Sequence, residues 1–184
     1  MYAMALSATI FKIQLNIADM DRGYYADHNL TVARHPSETD ERMMVRIIAF
    51  ALHAHEQLQF TRGLSADDEA DLWQRNFADE IDVWIYVGLP DEKRVRKACS
   101  RARKVVIYSY GGRTAEQWWR DNADKFARFE HLEVFELAKP ETEACAALVA
   151  RTLQLQCTVQ DGRLWLNDGA HSVEIEPARK QSGA

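Results

Sequence analysis

The first part of the chain alternates between apolar and polar residues, which is the two-residue period of a half-buried β-strand. Between Ala8 and Ile17, apolar side chains occupy alternate positions: Phe11, Ile13, Leu15 and Ile17. A turn over residues 19–23 separates this segment from a second predicted strand, Tyr24 to Ala33. The pattern therefore predicts a long N-terminal hairpin.

Helical spacing of apolar residues predicts four helices further along the chain. The first runs from Ser37 to His55, with Ser37 as N-cap and Asp40 in the capping-box position. The second begins after Asp91, which serves as its N-cap, and ends near Arg103. The last two are predicted over residues 114–126 and from Pro140 to about Ala150.

Short apolar runs between these helices predict the strands of a central sheet. They cover four segments: Leu58–Thr61, Ile81–Val87, Val105–Tyr110 and Leu132–Leu137. The third is apolar apart from Ser109, as expected of a strand covered on both faces. The order predicts an α/β (α+β) fold: a mixed central β-sheet flanked by helices, with a right-handed strand-helix-strand crossover and added antiparallel strands.

The end of the chain returns to strict alternation and predicts a meander. Three strands are predicted, Thr152–Val159, Arg163–Asn167 and Ser172–Ile175, separated by the hairpin dipeptides Asp161-Gly162 and Asp168-Gly169. We expect residues 1–178 to form a single domain and residues 179–184 to form a flexible C-terminal tail.

Composition restricts the class of protein. The chain has 184 residues, of which 47% are hydrophobic and 28% are charged, so a disordered chain or a long coiled coil is excluded. The net charge of -5 argues against a uniformly basic nucleic-acid binder. Three isolated cysteines and the lack of a signal or membrane-spanning segment predict a cytoplasmic protein with buried thiols and no membrane partner.

The net charge conceals two neighbouring segments of opposite sign. Residues 65–82 contain seven acids and one base, a local charge of -6, and residues 91–104 contain seven bases and two acids, a local charge of +5. Carboxylates from a loop, a strand and a helix are the oxygen ligands that Mg²⁺ prefers, and a nearby lysine stabilises charge on phosphate. The alternative is that both segments are solvated surface.

Several long strings in the chain resemble the bacterial YaeQ family, and the match extends from about Met4 to the C-terminal meander. The strings are LTVARHPSETDERMM (residues 30–44), LQFTRGL (58–64), ADDE (66–69), IDVWI (81–85) and GLPDE (88–92). The resemblance implies a family of uncertain biochemical role whose fold is similar to the PD-(D/E)XK nuclease superfamily, a restriction-endonuclease-like core. Fold alone does not establish an activity.

The superfamily order of elements implies roles for individual residues. It implies Glu41, with Glu38 as the alternative, as the acid of the first helix. Asp68, with Asp67 as the alternative, falls at the first motif acid, and Asp82 at the second. Glu41, Asp68 and Asp82 would hold Mg²⁺ or Mn²⁺ and, with Lys97, form the catalytic set.

The motif lysine is missing from its usual position, two residues after the second acid. Trp84 stands there, and Lys97 on the following helix is the candidate for a migrated lysine. Arg34, Arg62, Lys93 and Arg101 are the predicted phosphate-binding residues, because arginine and lysine suit contact with phosphate oxygens. The alternative for Arg34 and Arg62 is pairing with nearby acids.

Charge pattern and resemblance together give a leading hypothesis and two alternatives. The leading hypothesis is a Mg²⁺-dependent nuclease that hydrolyses phosphodiester bonds of DNA or RNA. The first alternative is a non-catalytic nucleic-acid-binding or regulatory protein on a nuclease-like scaffold, for which Trp84 is the main reason. The second is a protein-interaction module that uses the acidic segment.

Overall fold

The N-terminal alternation forms the expected hairpin in the computed structural model, which describes residues 7–62 and 68–183. Strands β1 (Thr9–Asp19) and β2 (Tyr24–Arg34) pair antiparallel along their whole length. Every second residue of β1 from Phe11 to Asp19 is buried, and Lys12, Gln14 and Asn16 between them are exposed. The hairpin predicted from the alternation is thus confirmed.

The hairpin and the C-terminal meander combine in one five-stranded mixed sheet, the first sheet. The meander strands are β8 (Thr152–Gln160), β9 (Arg163–Asn167) and β10 (Ser172–Ile175). The strand order is β10-β9-β8-β1-β2, with β1 parallel to β8 and the other pairs antiparallel. The expectation of a single central sheet is therefore wrong. The strands of the first sheet alternate between apolar and polar residues. Such strands suit a sheet that packs on the core with one face and leaves the other face in solvent.

The apolar strands of the middle of the chain form a second, six-stranded mixed sheet. Its strands are β3 (Leu58–Phe60), β4 (Leu72–Arg75), β5 (Ile81–Val87), β6 (Ala102–Ser109), β7 (Leu132–Glu136) and β11 (Ala178–Gln181). The order is β11-β7-β6-β5-β4-β3. The three central strands β5, β6 and β7 are parallel, and antiparallel strands flank them.

Two strands of this sheet differ from the sequence expectations. β4 was not predicted, and it pairs with both β3 and β5. The segment expected as a flexible tail from residue 179 instead contributes β11, which pairs with β7 and covers that edge of the sheet. In both cases the neighbouring strand supplies hydrogen bonds to a segment whose own pattern is weak.

Helices cover both faces of the second sheet. The described residues form α1 (Asp40–His53), α2 (Glu92–Arg101), α3 (Arg113–Phe126) and α4 (Lys139–Ala146). Helix α1 is buried continuously from Met43 to Ala51, in a core that it shares with residues of both sheets. Helices α2 and α3 pack on the opposite face of the second sheet, in a separate apolar cluster. Within the described ranges, no helix is long and apolar enough to cross a membrane.

The helix caps agree with the sequence at α2 and differ at α1. Asp91 accepts a hydrogen bond from the backbone N–H of Arg94 at 2.8 Å, as expected of an N-cap. At α1 the cap is Thr39, whose hydroxyl accepts from the N–H of Arg42 at 3.1 Å. Ser37, the predicted cap, lies two residues earlier, and its hydroxyl is 2.6 Å from Nδ1 of His35.

A histidine between the two sheets provides a pH-dependent test of this packing. His53 ends α1, and its Nε2 lies 2.6 Å from the hydroxyl of Tyr108 on β6. Burial, together with the charges of Lys104 and Arg22, lowers the pKa of His53 from 6.5 to about 3. Because only the neutral ring suits this position, the unfolded chain binds a proton more readily than the folded protein does.

We expect the free energy of unfolding to fall as the pH drops below the unfolded pKa of His53. The slope from this residue approaches about 1.4 kcal/mol per pH unit between the two pKa values. Urea unfolding between about pH 5 and pH 6, above the ordinary carboxyl range, compares the wild type with His53→Gln, which keeps a hydrogen-bonding partner for Tyr108. Equal slopes for the two proteins would contradict the neutral, half-buried histidine.

Candidate functional site

Asp68 and Lys97, two of the predicted catalytic residues, are brought together at the surface of α2. The ammonium of Lys97 donates to a carboxylate oxygen of Asp68. Arg101 also donates to the backbone carbonyl of Asp68, at 3.2 Å. The hydrogen bond and charge of Lys97, followed by the charges of Arg101 and Lys93, lower the pKa of Asp68. The pair is nevertheless an exposed ion pair, with 78% of the Asp68 side chain accessible.

Glu41 and Asp82, the other two predicted metal ligands, lie on opposite faces of the second sheet. Asp82 precedes Trp84 on the face of β5 that α2 covers, and its carboxylate is 3.6 Å from Nε of Arg103. Glu41 belongs to α1 on the other face, where it accepts a hydrogen bond from the Thr142 hydroxyl at 2.8 Å.

The residues predicted to hold Mg²⁺ therefore do not fit a shared metal site. Asp68 is engaged by Lys97, and the sheet separates Glu41 from Asp82. Among residues 7–62 and 68–183, no group of three or more His, Cys, Asp or Glu side chains is arranged to hold a metal ion. Asp67, the alternative to Asp68, lies outside the described residues.

Three of the predicted residues form an exposed row of positive charge along α2. Lys93, Lys97 and Arg101 are four residues apart and all exposed, and we call them the basic stripe. Neighbouring charges are about 6 Å apart along the helix axis, and the whole row spans about 12 Å. Arg62 and Arg34, the remaining predicted phosphate-binding residues, are each bonded to an acid: Glu69 at 2.7 Å and Asp40, respectively.

Trp84, at the position where the motif lysine is expected, has a packing role. Its side chain is completely buried, and the rings of Trp73 and Tyr86 contact it edge to face. The guanidinium carbon of Arg101 lies 5.2 Å from the Trp84 ring centroid, a cation–π geometry. Strand β5 thus uses this position to anchor α2 to the sheet.

A set of four charged residues lies in the interior, and only Glu38, the alternative to Glu41, was among the predicted site residues. It consists of Glu38, Arg42, Arg46 and Asp71, which we call the buried ion network. The exposed fraction of these side chains is only 2%, 13%, 3% and 7%, respectively. Buried charges persist only when they are paired and hydrogen-bonded.

Arg42 is the centre of the buried ion network because it contacts both acids. Its Nη1 donates to Oε2 of Glu38 at 2.6 Å, and its Nη2 donates to Oδ1 of Asp71 at 2.5 Å. Burial opposes the positive charge of Arg42, but the carboxylates of Asp71 and Glu38 outweigh it and raise the pKa of Arg42. The guanidinium is therefore permanently charged between two carboxylates.

The remaining carboxylate oxygens of the network also have donors. Oε1 of Glu38 accepts from Arg46, whose Nη2 also donates to the carbonyl of Ala33 at 3.0 Å. Oδ2 of Asp71 accepts from the backbone N–H of Val87 at 2.8 Å. All four carboxylate oxygens of Glu38 and Asp71 are thus held by donors of the protein itself.

The buried ion network lies at the carboxyl end of the parallel strands, where open α/β sheets commonly bind ligands. Val87 is the last residue of β5, and Tyr110 follows the end of β6. Burial raises the pKa of Tyr110, the charge of Arg42 lowers it in part, and Glu41 raises it further. The phenol is therefore a neutral hydrogen-bonding group next to the network.

One sequence signal points to this network. Glu38, Arg42 and Arg46 are spaced four residues apart, and Arg46 interrupts the apolar run from Met43 to Ala51. A charge inside such a run needs a buried partner. Asp71 has no comparable signal, because it is one of seven acids in its segment.

Comparison with known proteins finds one family along nearly the whole chain. The family model described as YaeQ protein matches residues 4–177. An uncharacterized protein YaeQ of Escherichia coli (strain K12) is 48% identical over 172 residues, which is 94% of this chain and 95% of that protein.

Two crystal structures share the fold. The YaeQ protein from Xanthomonas axonopodis pv. citri superposes with a TM-score of 0.93 at 49% identity, covering 96% of this chain and 99% of that one. The YaeQ protein from Pseudomonas syringae superposes with a TM-score of 0.91 at 31% identity, covering 95% and 97%. Both likenesses cover nearly the whole of this chain.

Removing the central guanidinium should be far more damaging than removing an exposed one. Arg42→Met leaves Glu38 and Asp71 buried without their shared cation, and we expect a loss of about 3–5 kcal/mol in the free energy of unfolding. The control Arg163→Met breaks exposed pairs with Glu174 and Glu176 and should cost at most about 1 kcal/mol. Chemical denaturation measures both, and similar losses would refute the central role of Arg42.

Proposed function

This chain belongs to the YaeQ family, and from the charges at its candidate site we propose that it is a nucleic-acid-binding protein on a nuclease-like scaffold. Binding occurs through the phosphate backbone at the basic stripe of Lys93, Lys97 and Arg101. The protein does not rely on metal-dependent cleavage. The single observation that carries the proposal is the exposed row of positive charge that Lys93, Lys97 and Arg101 form along α2.

The order of elements supports the nuclease-like scaffold. The superfamily core runs helix, strand, strand, strand, helix, strand, and the chain has α1, β3, β4, β5, α2 and β6 in that order. β4 supplies the middle strand of the three. Helix α2 connects the parallel strands β5 and β6.

The buried ion network argues against catalysis through a metal at this edge. A magnesium ion needs carboxylate oxygens that face an open, hydrated position. Here Arg42 and Arg46 together balance the charge of both acids, and the Val87 N–H completes their hydrogen bonding. A metal would have to displace a buried guanidinium, which would then lack a counterion.

The basic stripe has the chemistry of a phosphate-backbone contact. Its charged groups are exposed, they lie on one side of α2, and Arg96 on the same helix adds another exposed charge. Arginine and lysine contacts to phosphate release counterions and make binding depend on salt. The protein's net charge of -5 is compatible with this interaction because the acids and bases are segregated.

Replacing the basic stripe should reduce both affinity and salt dependence. The test is the triple variant Lys93→Ala, Lys97→Ala and Arg101→Ala. Each lost phosphate contact reduces the slope of log association constant against log salt concentration by about 0.7–0.9, so the magnitude of the slope should fall by about 2–3. Fluorescence anisotropy with a labelled single strand and a labelled duplex of mixed sequence measures the affinity at several salt concentrations.

A triple variant of the first sheet provides a control with the same change in charge. Lys12→Ala, Arg151→Ala and Arg163→Ala remove three exposed cations and should leave the slope nearly unchanged. An equal reduction in both triple variants would show that only the overall charge matters. Cleavage of either probe in Mg²⁺ or Mn²⁺ that is lost in Asp82→Ala would reinstate the nuclease hypothesis in place of this proposal.

Asp68 should compete with nucleic acid for the basic stripe. Its carboxylate occupies Lys97 in the free protein, so Asp68→Asn should tighten binding by about two- to fivefold at low salt, as expected for loss of an exposed pair. Asp124→Asn on α3 changes the charge equally at another exposed position. The same anisotropy titration compares the two variants, and weaker binding by Asp68→Asn would contradict the competition.

A further inference from the structure

The exposed face of the first sheet carries a grid of side-chain amides. The register places Asn167, Gln156, Asn16 and Asp27 in one row across four strands. The next row consists of Gln154, Gln14 and Asn29 on the three strands β8, β1 and β2. Paired residues point to the same face, and neighbouring strands are about 4.8 Å apart.

These amides are unusual on a strand surface that is merely solvated. Asparagine is depleted in β-strands, where threonine and other β-branched residues are favoured, yet β1, β2 and β9 each place one on this face. Within the described residues, the side-chain amides of Gln14, Asn29, Gln154 and Gln156 make no hydrogen bond. Residue types that are disfavoured in the secondary structure where they occur are commonly found at functional sites.

Two amides on either side of Gln156 in the first row have their orientation fixed by the protein. Oδ1 of Asn167 accepts the backbone N–H of Gly169 at 2.6 Å, so its NH₂ group is left as a donor. Nδ2 of Asn16 donates to Oδ1 of Asp27 at 2.7 Å, so its carbonyl is left as an acceptor. A donor and an acceptor thus flank Gln156, which offers both.

The grid lines a cavity of about 480 Å³. The turn after β9, with Asp168 and Gly169, forms one wall of it. The charged residues that line it are Asp27 and Asp168. The carboxylate of Asp168 accepts hydrogen bonds from the backbone N–H groups of Ala170 and His171. The lining therefore supplies no cation for a phosphate and disfavours an anionic ligand.

From this geometry we propose that the amide grid binds a neutral oligosaccharide. Hydroxyl groups donate and accept at once, so they match a surface of paired amide donors and acceptors without an excess of charge. The row beside the cavity places Trp165, Thr158, Ala18 and Tyr25 on the same face. The small side chains of Thr158 and Ala18 lie between the aromatic side chains of Trp165 and Tyr25, and an aromatic face suits the apolar side of a sugar ring.

The oligosaccharide site is independent of the proposed nucleic-acid contact. The basic stripe belongs to α2, which packs on the second sheet, whereas the amide grid is the solvent face of the first. Failure of one proposal therefore leaves the other standing, because each is tested by its own ligand and its own variants.

The test titrates the full chain with a panel of neutral linear oligosaccharides built from glucose, mannose, galactose and N-acetylglucosamine. Backbone amide NMR shifts should change at β1, β8 and the turn after β9 for at least one of them. Gln156→Ala removes a central amide that has no partner in the protein, and it should weaken that binding about tenfold, the equivalent of one or two hydrogen bonds.

Gln160→Ala is the matched control, since it changes the same residue type on the same strand and face, outside the cavity. Its affinity should equal that of the wild type, and both variants should keep the wild-type melting temperature. The proposal is overturned if no oligosaccharide of the panel shifts these signals at millimolar concentration. Equal binding by wild type and Gln156→Ala, or self-association through this face, would also overturn it.

Discussion

The contact on which the rest of the structure depends is the buried guanidinium of Arg42 between Glu38 and Asp71. It connects the start of α1 to the segment before β4, and Asp71 in turn holds the N–H of Val87 at the end of β5. Helix α1 is the element shared by the two sheets, so its position determines how the sheets pack. If one member of this network lost its partner, a buried charge would remain without a counterion. Because that is costly, the paired arrangement is the stable one.

The same contact determines how the carboxylates at this edge of the second sheet are used. Acids at the carboxyl end of parallel strands are suited to bind a metal, but here their oxygens are used to hold the fold together. The exposed charges, in contrast, lie on α2 and remain accessible to a polyanion. The charges are thus divided between a buried network that stabilises the fold and an exposed row of cations on α2.

The sequence predicted the strands whose pattern is strict and missed those whose pairing depends on neighbours. Alternation of apolar and polar residues predicts β1 and β8. The preference of aspartate for the N-cap position predicts the start of α2 at Asp91. β4 has only four residues, and it forms because β3 and β5 offer hydrogen bonds on both sides. The resemblance placed the metal acids at Glu41, Asp68 and Asp82, whereas the acids of the buried ion network are Glu38 and Asp71. The order of elements and the charge density of a sequence do not report which carboxylates are buried.

The most direct test of the central claim is the paramagnetic effect of Mn²⁺ on backbone amide signals, recorded with nucleic acid bound to the full chain. We predict no selective broadening at Glu38, Asp71 or Val87, because arginine and a backbone N–H already occupy the carboxylates. Broadening centred on these residues at substoichiometric Mn²⁺, together with release of Arg42 from Asp71, would contradict the account.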